Sequence, residues 1–247
     1  MKFTVLTFDI LDSTNTEALR HAKLGADEGL CVLARQQTHG RGRYGRTWVS
    51  ERDAGLYFSV LLRPKINPDE LPLITLMAGV AVHATLEQFG LRPDIKWVND
   101  VLVTEKKIAG ILAEATETRD GLAVVVGIGI NMTSANFPPD LVFQATCLED
   151  IAPTAVSRDD LIEAISQHLV NAYDILQGKN GPDKIIENWT RRSSYASCKM
   201  IRVVLENETI TGATDGLESN GALRIKRADG TVAIVQAGDV EQVRAAI

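Results

Sequence analysis

The chain has 247 residues, of which 45% are hydrophobic and 23% are charged, values typical of an ordinary soluble globular protein. This length allows one large domain, or a large domain and a small one. The net charge of −6 argues against a general nucleic-acid-binding protein, which would carry a basic face, so we expect no nucleic-acid partner.

The first half of the chain alternates short strands with two helices. In order, it predicts a strand over 3–8, a helix that ends at Gly25, strands over 30–35 and 55–62, and a long helix within 68–90. Ser13, Thr14 and Asn15 are cap candidates for the first helix, and Thr14 and Glu17 have the spacing of a capping box. These three polar side chains either only cap the helix or also bind a small polar ligand.

The next part of the chain predicts a sheet built largely from hairpins. Strands are expected near 95–103, over 108–115 and over 122–130, followed by helices over 159–176 and around 185–189. Asp120 and Gly121 form a predicted two-residue hairpin turn before the apolar run at 122–130, which should be a central strand. Strands joined in this way, without regular βαβ alternation, predict a mixed, largely antiparallel α+β sheet with flanking helices.

The character of the sequence changes near residue 196. Short alternating runs at 200–205, 209–213, 222–226 and 231–236 are separated by Asn, Gly and Asp-Gly. We therefore predict a large domain over 1–195 and a small β-barrel domain over 196–247.

Cysteine usage and apolar runs bear on the compartment. The three cysteines, Cys31, Cys147 and Cys198, are widely spaced and form no CxxC pair, which fits a reducing compartment. The N-terminus lacks a long apolar segment, and no stretch approaches a membrane-spanning length. We expect a cytoplasmic protein without a membrane partner.

The segment HGRGRYGRTW at 39–48, which we call the arginine loop, is the most distinctive part of the sequence. Arginine carries a permanent charge and a rigid fork of donors that suits phosphate and carboxylate oxygens. Glycines between the arginines allow a close approach to a ligand, and three guanidinium groups could not be buried in a strand without partners. We interpret the segment as a phosphate-handling loop.

Two other interpretations of the arginine loop remain open. Gly40, Gly42 and Gly45 match the dinucleotide fingerprint GxGxxG, but that motif opens into a helix and has an acidic residue about twenty positions later. Here strand-like sequence follows instead. The loop could also be a solvated, charged turn.

Three further groups of residues each have a purely structural explanation. Asn99 and Asp100 could form a turn, Lys106 and Lys107 could protect a sheet edge, and Gly127-x-Gly129 could allow close backbone contact. However, these groups fall at the ends of neighbouring predicted strands, where they could converge on one pocket.

Five motifs in order resemble the biotin protein ligases, and the resemblance covers nearly the whole chain. They are DSTN at 12–15, QTHGRGRYGRTW at 37–48, KWVND at 96–100, KIAGILAE at 107–114 and GIGINM at 127–132. The resemblance implies a catalytic domain similar to class II aminoacyl-tRNA synthetases, followed by an SH3-like barrel. It also implies that biotin and ATP form biotinyl-AMP, with Mg²⁺ expected, and that a lysine of a biotin carboxyl carrier domain then accepts the biotinyl group.

The resemblance also implies the roles of individual residues. Biotin-binding residues would be Ser13, Thr14, Asn15, Gln37, Arg41, Gly42, Arg43, Lys107 and Gly110. Residues at ATP and the adenylate would be Arg41, Arg43, Arg46, Trp48 and Asn131. The catalytic cations would be Lys107, Arg41 and Arg43, with Asp100 as a metal-ligand candidate.

The chain departs from the family pattern at a few positions. Val98 stands where the family usually has proline, and His39 stands where a small residue is common. Thr133 follows GINM at a position where family members often have another pattern. Some family members carry an N-terminal helix-turn-helix domain that represses genes. Here the motifs begin at Asp12, so we expect a monofunctional ligase, which could form a homodimer through a sheet edge.

Two alternative functions remain. A lipoate or octanoate ligase or transferase shares the catalytic fold, and the arginine loop argues against it. A non-catalytic biotin-binding regulator would not need Lys107 together with three loop arginines. Separately, the arginine loop is rich in glycine and has few apolar anchors, so we expect it to become ordered when its ligand binds.

Overall fold

A seven-stranded sheet and a five-stranded sheet organise the protein, described here from a computed structural model that covers residues 1–134, 137–139, 141–205 and 208–242. The strands of the larger sheet are β1 (Thr4–Leu11), β2 (Leu30–Gln37), β3 (Gly55–Leu62), β4 (Pro93–Lys96), β5 (Asp100–Val103), β6 (Lys106–Thr118) and β7 (Gly121–Asn131). Their order is β1-β2-β3-β7-β6-β5-β4. Only the β1–β2 pair is parallel among these described neighbours. This mixed, largely antiparallel sheet confirms the predicted fold class, with β7 in its centre.

Helices cover both faces of the larger sheet. They are α1 (Thr14–Lys23), α2 (Leu73–Gln88), the short α3 (Leu148–Ile151), α4 (Arg158–Gln177) and α5 (Gly181–Thr190). On one face, Ala18 and Ala22 of α1 pack on β2, β3 and β7 and are completely buried. Their small side chains allow the helix to lie close to the sheet. The other face is covered by α2, with α4 and α5 packed against that helix.

The start of α1 is fixed by Ser13. This residue has an extended backbone, and its side chain accepts a hydrogen bond from the Thr16 amide, so it is the N-cap. The predicted capping box between Thr14 and Glu17 is wrong. With Ser13 as the N-cap, the third residue of the helix is Thr16 and not Glu17. Gly25, with φ of +88°, follows the helix as predicted.

The core helix α2 is apolar nearly all the way round because it is enclosed by the sheet, α4 and α5. By length and composition alone, the 21-residue stretch Pro68–Gln88 could cross a membrane, contrary to the expectation that no stretch approaches such a length. Of the 18-residue apolar window within this stretch, 67% is buried inside the protein, as in a core helix.

The β6–β7 hairpin is tight, as predicted, but its turn lies one residue earlier. Thr118 pairs with Gly121, so Arg119 and Asp120 are the two loop residues. Gly121 has φ of +95°, which explains why glycine follows the turn.

The C-terminal strands form an antiparallel sheet in the order β11-β10-β9-β8-β12. They are β8 (Ser197–Val204), β9 (Thr209–Leu217), β10 (Leu223–Lys226), β11 (Val232–Val235) and β12 (Asp239–Gln242), of which β12 was not predicted. In the described part of the chain, no pairing joins β11 to β12, so the sheet is open where a closed barrel was expected. It packs on the larger domain, where Trp97 Nε1 donates to the Gly221 carbonyl at 3.0 Å. The predicted boundary at 195/196 falls between α5 and β8 and stays a prediction.

Candidate active site

A cleft of about 640 Å³ opens on the α1 side of the larger sheet, next to the start of that helix. A volume of this size suits a small-molecule ligand. Val240 of the C-terminal sheet also borders it. All thirteen residues predicted for the site line this one cleft: Ser13, Thr14, Asn15, Gln37, Arg41, Gly42, Arg43, Arg46, Trp48, Asp100, Lys107, Gly110 and Asn131. The structure thus brings the five motifs together at the ends of neighbouring strands.

Three glycines make room for side chains over the sheet. A Cβ atom at Gly127 would overlap the Asn15 amide, and one at Gly129 would overlap the Trp48 indole. At Gly110, a Cβ atom would lie 2.9 Å from Trp48 Cζ3. These positions therefore need glycine because side chains approach the backbone closely. The backbone at these three glycines forms the floor of the cleft, which we call the glycine floor.

The arginine loop is a small hairpin that stands over this floor. Arg41 pairs with Thr47, and the Gly42 amide donates to the Arg46 carbonyl at 2.7 Å. Its tip contains Tyr44 and Gly45, with φ of +55° and +71°. Because the loop opens into no helix beyond a single 3-10 turn, the dinucleotide-fingerprint interpretation is wrong.

Two of the loop arginines, Arg41 and Arg43, are oriented by residues outside the loop. Arg41 forms an ion pair with Glu114 of β6. Arg43 Nη1 donates to Asn99 Oδ1 at 3.3 Å, and its guanidinium carbon lies 4.8 Å from the centre of the Tyr44 ring. These contacts make the loop part of the cleft, which contradicts the alternative of a merely solvated turn.

Lys107 is fixed both through its backbone and through its side chain. Its amide donates to the Gln144 carbonyl at 2.8 Å, and its carbonyl accepts from the Thr146 amide at 2.9 Å. The Asn131 amide group donates to the Thr146 carbonyl at 3.0 Å and so connects the end of β7 to the same segment. Lys107 Nζ lies 2.6 Å from Asp100 Oδ1.

Trp48 lies between Lys107 and the glycine floor. Its ring centre is 5.3 Å from Lys107 Nζ, a distance typical of a cation–π contact. The indole Nε1 is buried and has no hydrogen-bond partner among the residues that the structure describes. This donor is available to an acceptor on a bound ligand.

A chain of hydrogen bonds connects the C-terminal end of the arginine loop, at Trp48, to α1. Ser50 Oγ donates to the Trp48 carbonyl at 2.9 Å and accepts from Gln37 Nε2 at 2.8 Å. Gln37 Oε1 in turn accepts from the Thr14 amide at 2.8 Å. The side chain of Gln37 therefore fixes the loop relative to the helix start.

A second set of contacts connects α1 to the N-terminal part of the loop, at Arg41. Ser59 Oγ lies 2.7 Å from both Thr14 Oγ1 and Asn15 Oδ1. Asn15 Nδ2 donates to Glu114 Oε2 at 2.8 Å, and Glu114 also holds Arg41. Together, the two sets of contacts hold both ends of the arginine loop.

Three residues of these networks, Ser50, Ser59 and Glu114, were not predicted to belong to the site. Ser59 is the only polar side chain in the apolar run of β3 apart from a tyrosine hydroxyl, and that anomaly was a usable signal. Glu114 ends the KIAGILAE motif, and its contacts with Asn15 and Arg41 become visible only in the structure.

Electrostatically, two of the cations that line the cleft are each paired with one carboxylate. Arg41 is paired with Glu114, and Lys107 is paired with Asp100. Such a pair keeps the cation in place, and an anionic ligand can take over the carboxylate's contacts with it. The arrangement can therefore bring two anionic groups close together over an apolar floor.

Asp100, the predicted metal-ligand candidate, lines the cleft as a single carboxylate beside Lys107. Among the described residues, the cluster of potential metal-binding side chains is Cys147, Glu149 and Asp150, which do not line the cleft. Burial raises the pKa of the Cys147 thiol to about 11, so the thiol stays protonated near neutral pH.

Residues 7–131 match the family described as the biotin/lipoate A/B protein ligase family, and residues 199–241 match the biotin protein ligase C terminal domain. A bifunctional ligase/repressor BirA from Bacillus subtilis is 35% identical over 238 residues, which cover 94% of this chain and 72% of that protein. The chain belongs to the biotin/lipoate A/B protein ligase family.

Other members of this family are similar over nearly the whole chain. A biotin–[acetyl-CoA-carboxylase] ligase from Mycobacterium tuberculosis is 32% identical and covers 94% of this chain and 86% of its own length. The structure of the biotin protein ligase from Aquifex aeolicus, in complex with biotin and ATP, has a TM-score of 0.83 and 28% sequence identity. That comparison covers 98% of this chain and 99% of the Aquifex chain, so the similarity includes both sheets.

Proposed function

We propose that this protein is a biotin protein ligase, which activates biotin with ATP and transfers it to a lysine of a biotin carboxyl carrier domain. The observation that carries the proposal is that Lys107 and the arginine loop meet over one glycine floor. The match to a C-terminal domain characteristic of biotin protein ligases favours biotin over lipoate within the same family.

In the first step, a biotin carboxylate oxygen attacks the α-phosphorus of ATP. The bond from that phosphorus to the bridging oxygen breaks, so that biotinyl-AMP and pyrophosphate form. Both reactants are anions, and their repulsion must be screened while negative charge builds on the phosphate. Arg41, Arg43 and Lys107 supply this positive charge, and Arg46 assists at the phosphates.

Recognition of the two substrates is divided along the cleft. Biotin lies at the start of α1, against Ser13, Thr14 and Asn15, with Gln37, Gly42 and Gly110 alongside. The adenylate lies toward the end of β7, where Trp48 and Asn131 border the cleft. The loop arginines and Lys107 stand between these two regions, where the carboxylate and the α-phosphate meet.

In the second step, the carrier lysine attacks the acyl carbon of biotinyl-AMP as a free amine. The acyl carbon–oxygen bond breaks, AMP leaves with the bonding electrons, and the nitrogen loses a proton as the amide forms. The enzyme needs no nucleophile of its own. The carrier we propose is the biotin carboxyl carrier domain of acetyl-CoA carboxylase or of a related carboxylase, by analogy with the named relatives.

Magnesium is expected to arrive with ATP, because Mg²⁺ in nucleotide sites binds mainly phosphates, waters and one or two carboxylates. Asp100 fits as a single carboxylate ligand, since it lines the cleft beside Lys107. When bound, the ion would neutralise phosphate charge.

The test is biotin-dependent exchange of labelled pyrophosphate into ATP, with lipoate as a parallel substrate. We expect exchange with biotin and none with lipoate. Exchange with lipoate alone would reassign the protein to the lipoate branch of the family. Tight binding of biotin without any exchange would favour a non-catalytic regulator.

Three earlier expectations stay predictions. They are the absence of a membrane partner, a cytoplasmic location, and homodimer formation through a sheet edge. The outer side of β1 is a free edge in the described sheet and is the place where such a contact would form.

A further inference from the structure

A fully buried hydroxyl group lies directly behind the start of α1. Ser59 is in the middle of β3, opposite Val32 of β2 and Gly127 of β7, and its exposure is 0%. Its Oγ lies 2.7 Å from Thr14 Oγ1 and 2.7 Å from Asn15 Oδ1. Since a completely buried group cannot touch a ligand, any effect of Ser59 on substrate must pass through these two neighbours.

The hydrogen-bonding capacity of Asn15 explains why Ser59 matters. The two hydrogens of Asn15 Nδ2 go to the Leu112 carbonyl at 3.1 Å and to Glu114 Oε2 at 2.8 Å. Its Oδ1 can only accept a hydrogen bond, so Ser59 donates its single hydrogen there. The amide of Asn15 is thus fixed on both sides, and Glu114 is held where it pairs with Arg41.

The same hydroxyl also restrains Thr14. With its hydrogen given to Asn15, Ser59 Oγ can still accept a hydrogen bond from the Thr14 hydroxyl. Thr14 Oγ1 also lies 3.2 Å from Gln37 Oε1, which can only accept. Thr14 has one hydroxyl hydrogen, so it donates to one of these two acceptors at a time, and Ser59 Oγ is the nearer of the two, at 2.7 Å.

We propose that Ser59 is a positioning residue for biotin recognition, which fixes Thr14 and Asn15 without contacting the ligand. This inference rests on the proposed function, because Thr14 and Asn15 are assigned there to the biotin end of the cleft. Removing the hydroxyl leaves Asn15 Oδ1 without its donor and allows both side chains to rotate. Biotin then binds to a less ordered site, while the ATP end of the cleft keeps its contacts.

The test compares two variants that each remove one completely buried hydroxyl. Ser59→Ala acts at the cleft, whereas Thr85→Val acts in α2, where Thr85 donates to the Ala81 carbonyl at 2.9 Å and is also 0% exposed. For both variants and for the wild type, pyrophosphate exchange gives KM for biotin, KM for ATP and kcat. Thermal unfolding of each protein measures the change in stability.

For Ser59→Ala, we expect KM for biotin to rise about tenfold, which corresponds to the loss of one or two buried hydrogen bonds. KM for ATP should change less than twofold. Thr85→Val should lower Tm to a similar extent and leave both KM values unchanged. A purely structural role for Ser59 would give the same pattern as Thr85→Val, and that result overturns the inference.

The controls separate this inference from the proposed function. Wild-type exchange with biotin, together with equal KM values for biotin in all three proteins, contradicts the role of Ser59 alone. If the wild type shows no biotin-dependent exchange, the proposed function fails and this inference fails with it. Calorimetric titration with biotin adds a binding readout that does not depend on turnover.

Discussion

The two faces of the seven-stranded sheet are built from the same strands, but one forms a packed core and the other forms a polar cleft. On the α2 side, alternate residues such as Phe58, Val126 and Ile128 are almost completely buried and apolar. On the α1 side, the intervening residues include Ser59, Gly127 and Gly129, and only part of that face is covered by the helix. Because side chains alternate along a strand, one sequence can encode a packed core and a polar cleft at once.

The comparison shows where stability and function are separated. The apolar face stabilises the fold by burying its side chains. Substitutions on that face do not alter residues that contact a ligand. The cleft face leaves out side chains at its glycines and uses buried polar groups that need each other as partners. We therefore expect substitutions on the two faces to have opposite signatures in stability and in activity.

The largest effect should follow the loss of Lys107. Lys107→Gln removes the charge that faces the reacting anions, so kcat for pyrophosphate exchange should fall about a thousandfold. Lys106→Gln is the matched control, because the adjacent lysine does not line the cleft. Retention of more than a tenth of the activity in Lys107→Gln would contradict the assigned role.

A core substitution on the opposite face should affect stability instead. Phe58 is 1% exposed, and Phe58→Ala should lower the free energy of unfolding by about 3–5 kcal/mol. The KM for biotin of the folded fraction should stay unchanged. Urea unfolding and exchange kinetics on the same preparation measure the two quantities. A large increase in KM with little loss of stability would show that the two faces are not separable.

Filling the floor of the cleft should reduce activity more than stability. The added methyl group in Gly129→Ala overlaps the Trp48 indole and displaces it, so kcat/KM should fall about a hundredfold. Gly79→Ala is the control in α2, where a new Cβ would make an ordinary contact at 3.4 Å with Ile95. That substitution should keep full activity and slightly increase stability, since alanine favours helix. Equal kinetics for both variants would contradict close packing of Trp48 on the floor.

The smallest effect concerns backbone strain at the rim of the cleft. Thr104 and Glu105 form the β5–β6 turn with φ of +50° and +63°, a conformation that suits Asn-Gly. The double substitution Thr104→Asn and Glu105→Gly should raise the free energy of unfolding by about 1 kcal/mol. Chemical denaturation measures it, and an unchanged or lower stability would show that this turn holds no strain.

Much of this organisation was predictable because it is encoded locally. The bounds predicted for β3 agree with the structure, and the helical periodicity placed α4 and α5 correctly. The five motifs identified residues that now line one cleft. The position of the β6–β7 turn was wrong by one residue because Asp-Gly was assigned to the loop, whereas Gly121 already pairs in the strand.

The contacts that hold the site together were not predictable in this way. Ser59 meets Asn15 across 44 residues, and Asn15 meets Glu114 across 99 residues, so no local pattern connects them. The short strand β12 was missed because its sequence, Asp-Val-Glu-Gln, has a single apolar residue. Closure of the C-terminal barrel was inferred from short alternating strands, which do not determine whether the edge strands meet.

The most direct test of the central claim, that one cleft activates biotin and passes it on, is a single-turnover transfer experiment. Enzyme is incubated with biotin and labelled ATP, freed of unbound nucleotide, and then mixed with a biotin carboxyl carrier domain. We predict that AMP and biotinylated carrier appear together in equal amounts from the wild type, and that Lys107→Gln yields neither. Biotinylated carrier formed without AMP release, or unchanged transfer by Lys107→Gln, would contradict the account.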